Sequence, residues 1–265
     1  MTTMVMRNTA LALVVSAPSC LWGVANADDE GDVQAACAAL PSQAQLHAAL
    51  SSARAQTNGG FNLDMWGTVV NRDGIVCAVA FTGAERGSQW PGSRVISAQK
   101  ANTANAFSLP QLSLSTANLF SAVQPGGSLF GLQASNPVST QVAYRGESSR
   151  YGTADDPMTG GKIGGVNVFG GGLALYNAKH DLIGAVGVSG DSSCADHNIA
   201  WRTRHSLVLD YVPAGVSGDP SRPDNIVYDI TPAAGLDLGV SASGWGHAFC
   251  SAAAKTIAAS LPAVR

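Results

Sequence analysis

The chain has 265 residues, with 15 basic and 18 acidic side chains and a formal net charge of −3 at pH 7. No basic run is present to track phosphates, which argues against nucleic-acid binding, and the length supports one domain whose core folds without a metal. Thirty glycines beside only 12% charged residues point to tight turns and close packing and away from disorder.

The first residues read as a leader. Arg7 is the only charge before Asp28, Ala10 to Val15 is apolar, and Ala25-Asn26-Ala27 has the small-x-small form of a cleavage signal. Residues 1–27 are therefore expected to be a secretory signal peptide. Residues 28–265 would then form a periplasmic or secreted domain with no membrane attachment. An uncleaved anchor and lipidation at Cys20 are the competing readings. No later stretch approaches ~18 unbroken apolar residues.

Gln43–Gln56 is a predicted helix: Ser42 can cap it, and Leu46, Ala49, Leu50 and Ala53 share a face. Trp66–Val70 and Ile75–Phe81 read as strands around the turn Asn71-Arg72-Asp73-Gly74. After Trp90-Pro91-Gly92, Ser93 can cap a helix running to Phe107, which Pro110 ends. Ser113–Val123 reads as a further short helix. From Gln124 to Gly161 the pattern dissolves into Pro, Gly and Asp punctuation, with Tyr144 and Tyr151 between; loops of this length commonly serve as lids or interface arms. Val166–Phe169, Leu173–Asn177 and Leu182–Val188 give three more strands, and a helix follows Ser192 or Ser193. Pro213–Pro232 is polar and rich in Pro, Asp and Gly, and a last helix is expected over Trp245–Ser260. Strands joined by tight turns pair antiparallel with helices laid across them, which makes the fold α+β. It is one domain with a core of about 42–208, an insertion of about 111–162 and a C-terminal extension of about 209–265.

With Cys20 in the leader, Cys37, Cys77, Cys194 and Cys250 remain, an even number that in an exported chain favours two disulfides. Three pairings are possible. Packing of the first helix on the hairpin favours Cys37 with Cys77, and a C-terminal helix beside Cys194 favours Cys194 with Cys250. Free buried thiols are the alternative. The absence of a CxxC spacing weakens a redox or zinc role.

Three blocks then resemble one known family. They are Thr68–Val79, TVVNRDGIVCAV; Ser97–Phe107, SAQKANTANAF; and the segment with Ile163-Gly164-Gly165-Val166, Gly170-Gly171-Gly172 and Ile183 to Gly190, followed by Asp196. Spanning about Leu46 to Arg204 in the family's order, they are similar to the GlcG/HbpS-like haem-binding, or haem-degrading domain, family. The resemblance implies a profilin-like fold, here with a five-stranded antiparallel sheet flanked by helices, often a homo-oligomer, that binds haem or a related tetrapyrrole. It implies a ligand contact at Thr103, with Lys100 and Asn102 as neighbours. The stretch Gln111–Lys162 and the chain beyond Tyr211 depart from the simple family pattern.

Each candidate has a plainer role. Thr103 can bond back to its own helix carbonyl. His197, at a helix N-terminus that favours acids and a neutral imidazole, can be a capping or interface residue. Asp196 can pair with Arg202 or Arg204. Gly170 and Gly171 admit a flat ligand or a neighbouring helix. Trp90 can stack on a ligand and Arg94 can grip a carboxylate, or both can order their turn. Ser189 is not in a nucleophile elbow, and neither HExxH nor a P-loop occurs. The sequence reading is thus a binder of haem or tetrapyrrole, non-catalytic and homo-oligomeric, with its small-molecule ligand between the Thr103 helix and the sheet edge near Gly170. An enzyme acting on a small organic acid or aromatic metabolite, using Lys100, His197 and Asp196, and a structural accessory subunit are the alternatives.

Overall fold

The computed structural model describes Met1 and residues 27–265, so the signal peptide read over residues 1–27 lies, apart from its two end residues, outside the described residues. Helix α1 (Ala27–Cys37) precedes α2 (Gln43–Arg54). Ser42 starts α2 with a full capping box: its hydroxyl accepts from Gln45 N, and the Gln45 side chain accepts from Ser42 N at 2.9 Å. Leu46, Ala49, Leu50 and Ala53, at helical spacing, are its buried face. Sealing Leu46 and Leu50 fully contributes roughly 1.5–3 kcal/mol each.

Strands β1 (Trp66–Asn71) and β2 (Val76–Phe81) form the expected hairpin. Asn71 Oδ1 accepts from Asp73 N at 2.9 Å and Ile75 N at 3.0 Å, and Gly74 supplies the positive φ of 75° that closes the turn. Helix α3 (Ser93–Phe107) follows; Gly92 is its N-cap and makes no side-chain cap bond, so Ser93 is the first helical residue and not the cap. Strands β3 (Gly172–Tyr176) and β4 (Leu182–Ser189) complete an antiparallel sheet of order β2-β1-β4-β3. Helix α6 (Ser193–Ser206) leaves β4 directly, after two four-residue helices of the insertion, α4 (Leu132–Ser135) and α5 (Thr140–Ala143). Ser113–Val123 is two 3₁₀ turns, Thr116–Leu119 and Ser121–Val123, in place of a helix.

Period-two alternation splits the core. Val69, Val186 and Val188 face α2 and α6, while Trp66, Val70 and Ala185 face α3. The sheet is therefore covered on both faces, which is why all six residues of β1 are buried. Helix α3 lies unusually close to the sheet: a Cβ on Gly187 would run into the Ser97 carbonyl, and one on Gly172 into the Lys100 carbonyl.

The mixed helix-and-sheet class matches the reading, but the main sheet has four strands, not five. Val166–Phe169 is not a strand. Gly164 and Gly165, with φ of 63° and 77°, turn this segment onto α3, and side chains satisfy its backbone: Thr103 Oγ1 accepts from Asn167 N at 2.9 Å and Gln133 Oε1 from Val168 N at 3.3 Å. The C-terminal extension holds a hairpin absent from the sequence reading, β5 (Ile230–Ala233) with β6 (Leu236–Ser241). The last helix, α7, is Ala252–Ala259 and starts later than Trp245, because Ser251 is the residue that caps it, accepting from Ala254 N at 3.0 Å. Among the described residues, no helix is long and apolar enough to cross a membrane.

Both disulfides pair as read, Cys37 with Cys77 and Cys194 with Cys250. Cys37 closes α1, and Cys250 lies just before α7. The two added segments tie onto the sheet's outer strands. Val76 N donates to Gly161 O at 2.9 Å and Gly160 N to Val76 O at 2.8 Å, on the free side of β2. On β3, Thr116 Oγ1 accepts from Gly172 N at 2.9 Å, Ala174 O accepts from Arg204 at 3.1 Å, and Tyr176 N donates to Leu209 O at 2.9 Å.

Candidate functional site

Six of the sequence candidates meet where β4 runs into α6. Lys100 Nζ lies 2.8 Å from Asp196 Oδ2 and donates to Val188 O at 3.1 Å. Asp196 Oδ1 accepts from Gly190 N at 3.1 Å and Asp191 N at 2.8 Å. The carboxyl is 2% exposed, and burial pushes it up to about 6 against the opposing pull of Lys100. Asp196 thus pairs with Lys100. Arg204 is held instead by Asp224, at 2.6 and 2.8 Å, and Arg202 by Thr57 O and Asn58. His197 is fully buried, and desolvation lowers it to about 3, so the ring is neutral. Its Nε2 lies 3.1 Å from Asn225 Oδ1 and 3.1 Å from Ile226 N, while Nδ1 is buried without a partner.

Gly170 and Gly171 let protein backbone approach protein. A Cβ on Gly170 would strike the Ser193 carbonyl, and Gly171, at φ 121°, would strike the Val188 carbonyl. Ser189 is buried and donates to Ser93 Oγ at 3.3 Å. The gap between α3 and the sheet edge is filled by this packing.

Thr103 and Asn102 are farther along α3. The Thr103 hydroxyl donates to Gln99 O at 2.7 Å and accepts from Asn167 N, and Asn102 Nδ2 donates to Gly165 O at 2.8 Å. Both fasten the 164–169 segment over the helix.

Arg94 and Trp90 are at the opposite end of α3. Arg94 is 2% exposed and holds Asp156 of the insertion with a two-pronged ion pair, Nε donating to Oδ2 at 2.9 Å and Nη2 to Oδ1. The carboxylate it grips is thus the chain's own. Its Nη1 donates to Ala143 O at 2.7 Å, and its guanidinium lies 3.6 Å from the centre of the Tyr151 ring. Trp90 is 53% exposed.

Beside this anchor lies an open cleft of about 430 Å³, lined by Trp66, Pro91, Val95, Tyr144 and Tyr151, with Arg86 at its rim. That volume falls in the range of small-molecule sites, roughly 300–1,000 Å³. Trp66 packs edge-on against Phe81 at 5.2 Å, and its indole N–H has no partner. Tyr144 is 62% exposed. Among the described residues Arg86 has no ion-pair partner. A wider groove of about 1,040 Å³ between α1 and the insertion has no aromatic wall. The cleft suits a flat, acid-bearing ring system. Tyr144 and Tyr151 were visible in the sequence only as aromatics within a long insertion; Trp66 and Arg86 carried no local signal.

A family model described as haem degrading protein HbpS-like matches residues 41–204. No curated protein matches the chain. Among solved structures, a PduOC–haem complex shares 23% identity at a TM-score of 0.43, over 62% of this chain and 89% of that one. Klebsiella pneumoniae protein ORFY shares 26% at 0.42, over 63% and 90%. A double mutant of Streptomyces reticuli HbpS shares 17% at 0.40, over 75% and 99%.

Proposed function

The chain belongs to the HbpS-like haem-degrading family, and on that premise we propose that it is an exported, non-catalytic binder of haem or a related tetrapyrrole. The ligand occupies the cleft between the start of α3 and the insertion. One observation carries this reading: the cleft combines aromatic walls, an exposed phenol and a rim cation in a space of cofactor size. Burying an apolar macrocycle against Trp66, Val95 and Tyr151 supplies the affinity, and Arg86 offers a planar fork to a propionate. Haem iron is held in proteins by His, Cys, Met or Tyr, and of these the cleft contains only Tyr144 and Tyr151. Tyr144, the exposed one, is the candidate ligand. Bound haem would bring a redox-active iron with open coordination chemistry. The acid–base candidates Lys100, Asp196 and His197 are packed shut, which supports binding over turnover. Homo-oligomeric assembly belongs to the same proposal, with mass photometry as its check.

Haemin titration followed at the Soret band tests the site. The expected result is saturable binding, with Tyr144→Phe shifting the band and weakening affinity roughly tenfold, about 1.4 kcal/mol. Thr103→Ala should leave the band in place. A titration that never saturates, or one indifferent to Tyr144→Phe and Arg86→Ala together, would refute it.

A further inference from the structure

At the start of α6, among residues that do not line the cleft, the Cys194–Cys250 disulfide lies against His247. The two sulfurs and a ring nitrogen of His247 all fall within 4.8 Å of one another. We infer that reduction of this disulfide converts the trio into a binding site for a thiophilic divalent cation, zinc above all. Two thiolates and an imidazole form a three-ligand zinc set with a fourth position open for water. The side chains are already gathered from two distant parts of the chain. Cys194 is in the first turn of α6, while His247 and Cys250 sit three apart on the segment before α7.

The surroundings favour the conversion. Cys250 is exposed and Cys194 fully buried, so an incoming thiolate reaches the Cys250 sulfur and expels Cys194. The leaving thiolate sits at a helix N-terminus, which stabilises it. A dithiol reductant completes the step: it gives up two electrons and two protons and becomes a disulfide, the Cys194–Cys250 bond breaks, and two thiols result. The entering cation then displaces the two thiol protons. Ser193 Oγ, 3.6 Å from Cys250 Sγ, is near enough to serve the open position or to hold a bound water. His247 is fixed in place by contacts at both nitrogens, Nδ1 with Ala248 O at 2.8 Å and Nε2 with Gly170 N at 3.3 Å. A cation on Nε2 would replace the Gly170 N–H and leave Nδ1–H donating to Ala248 O, which would orient the ring as the outer partners of metal-bound imidazoles do.

Cobalt(II), used as a spectroscopic substitute for zinc on the haem-free protein, tests the site. After phosphine reduction, one equivalent should give thiolate-to-cobalt charge transfer and intense tetrahedral d–d bands, and zinc should abolish both. The oxidised protein should give neither. His247→Ala should lower the cobalt affinity at least about tenfold, and a Cys37→Ser/Cys77→Ser chain should keep the bands. Absence of bands in the reduced natural chain, or unchanged cobalt affinity in His247→Ala, overturns the inference. The His247→Ala comparison stands even if the cysteine variant does not fold.

Discussion

Replacing Asp156 by alanine should detach the insertion from the core. Asp156 is 2% exposed, and its carboxylate accepts from both arms of Arg94, from Gly152 N at 2.6 Å and from Met158 N at 2.8 Å. The substitution strips Arg94 of its counter-charge in a site where that guanidinium is 2% exposed. Removing one member of a buried ion pair costs about 3–5 kcal/mol, because the survivor remains desolvated and unpaired. For a chain of this size each kcal/mol lowers Tm by roughly 2–4 °C, so the loss should be on the order of 6–20 °C. Calorimetry measures it, and limited proteolysis within residues 111–162 should quicken. Removing both charges, as Arg94→Met with Asp156→Leu, should cost less than removing Asp156 alone. Haem affinity should fall in Asp156→Ala as well, because Arg94 carries Tyr151, a wall of the cleft. A Tm within roughly 2 °C of the natural chain, or a double variant less stable than the single, would refute the anchoring argument.

Three further outcomes follow from the packing and charge already described. Gly187→Ala should destabilise by about 1–3 kcal/mol, since the added methyl meets the Ser97 carbonyl and α3 cannot withdraw without losing the sheet face; denaturant midpoints measure it. Cys194→Ser with Cys250→Ser should lower stability by about 2–5 kcal/mol, read from the same curves. Acid should destabilise the fold partly through His197, which sits near 3 when folded against an ordinary 6.5. Between those values the unfolded chain binds a proton that the folded chain refuses, so this contribution is whole above about 6.5 and drains as pH falls. His197→Gln should flatten that limb of the pH–stability profile, and an unchanged limb would count against the burial argument.

Local spacing made much of the fold legible. The β1–β2 hairpin was readable because Asn71 and Gly74 do their turn chemistry within five residues, and α2 because its cap and apolar face are contiguous. Val166–Phe169 misled because an apolar alternation looks alike whether it pairs with a strand or lies across a helix; the difference rests with Thr103 and Gln133, distant in sequence. The β5–β6 hairpin was hidden because Pro232, Gly235 and Gly239 interrupt its strand pattern. The cleft was unreadable for a related reason. Trp66, Arg86 and Tyr144 belong to three separate segments, and the Tyr144 wall arrives with the insertion that Arg94 anchors through Asp156. Lys100, Asp196 and His197 were picked out for their chemistry, and the fold packs all three away from solvent.

The ties along the two outer strands bear on how copies of this chain can meet. On β3, donors and acceptors that would otherwise face outward are used by Thr116, Arg204 and Leu209; on β2, Val76 is engaged through both its N–H and its C=O. An incoming strand at β3 or at the start of β2 would have to displace the chain's own segments. Edge pairing of the main sheet is hindered at these positions, the same kind of covering that protects many β proteins from fibre formation. Contacts between copies made over these covered positions then draw on side-chain surfaces, where partner choice can be encoded residue by residue.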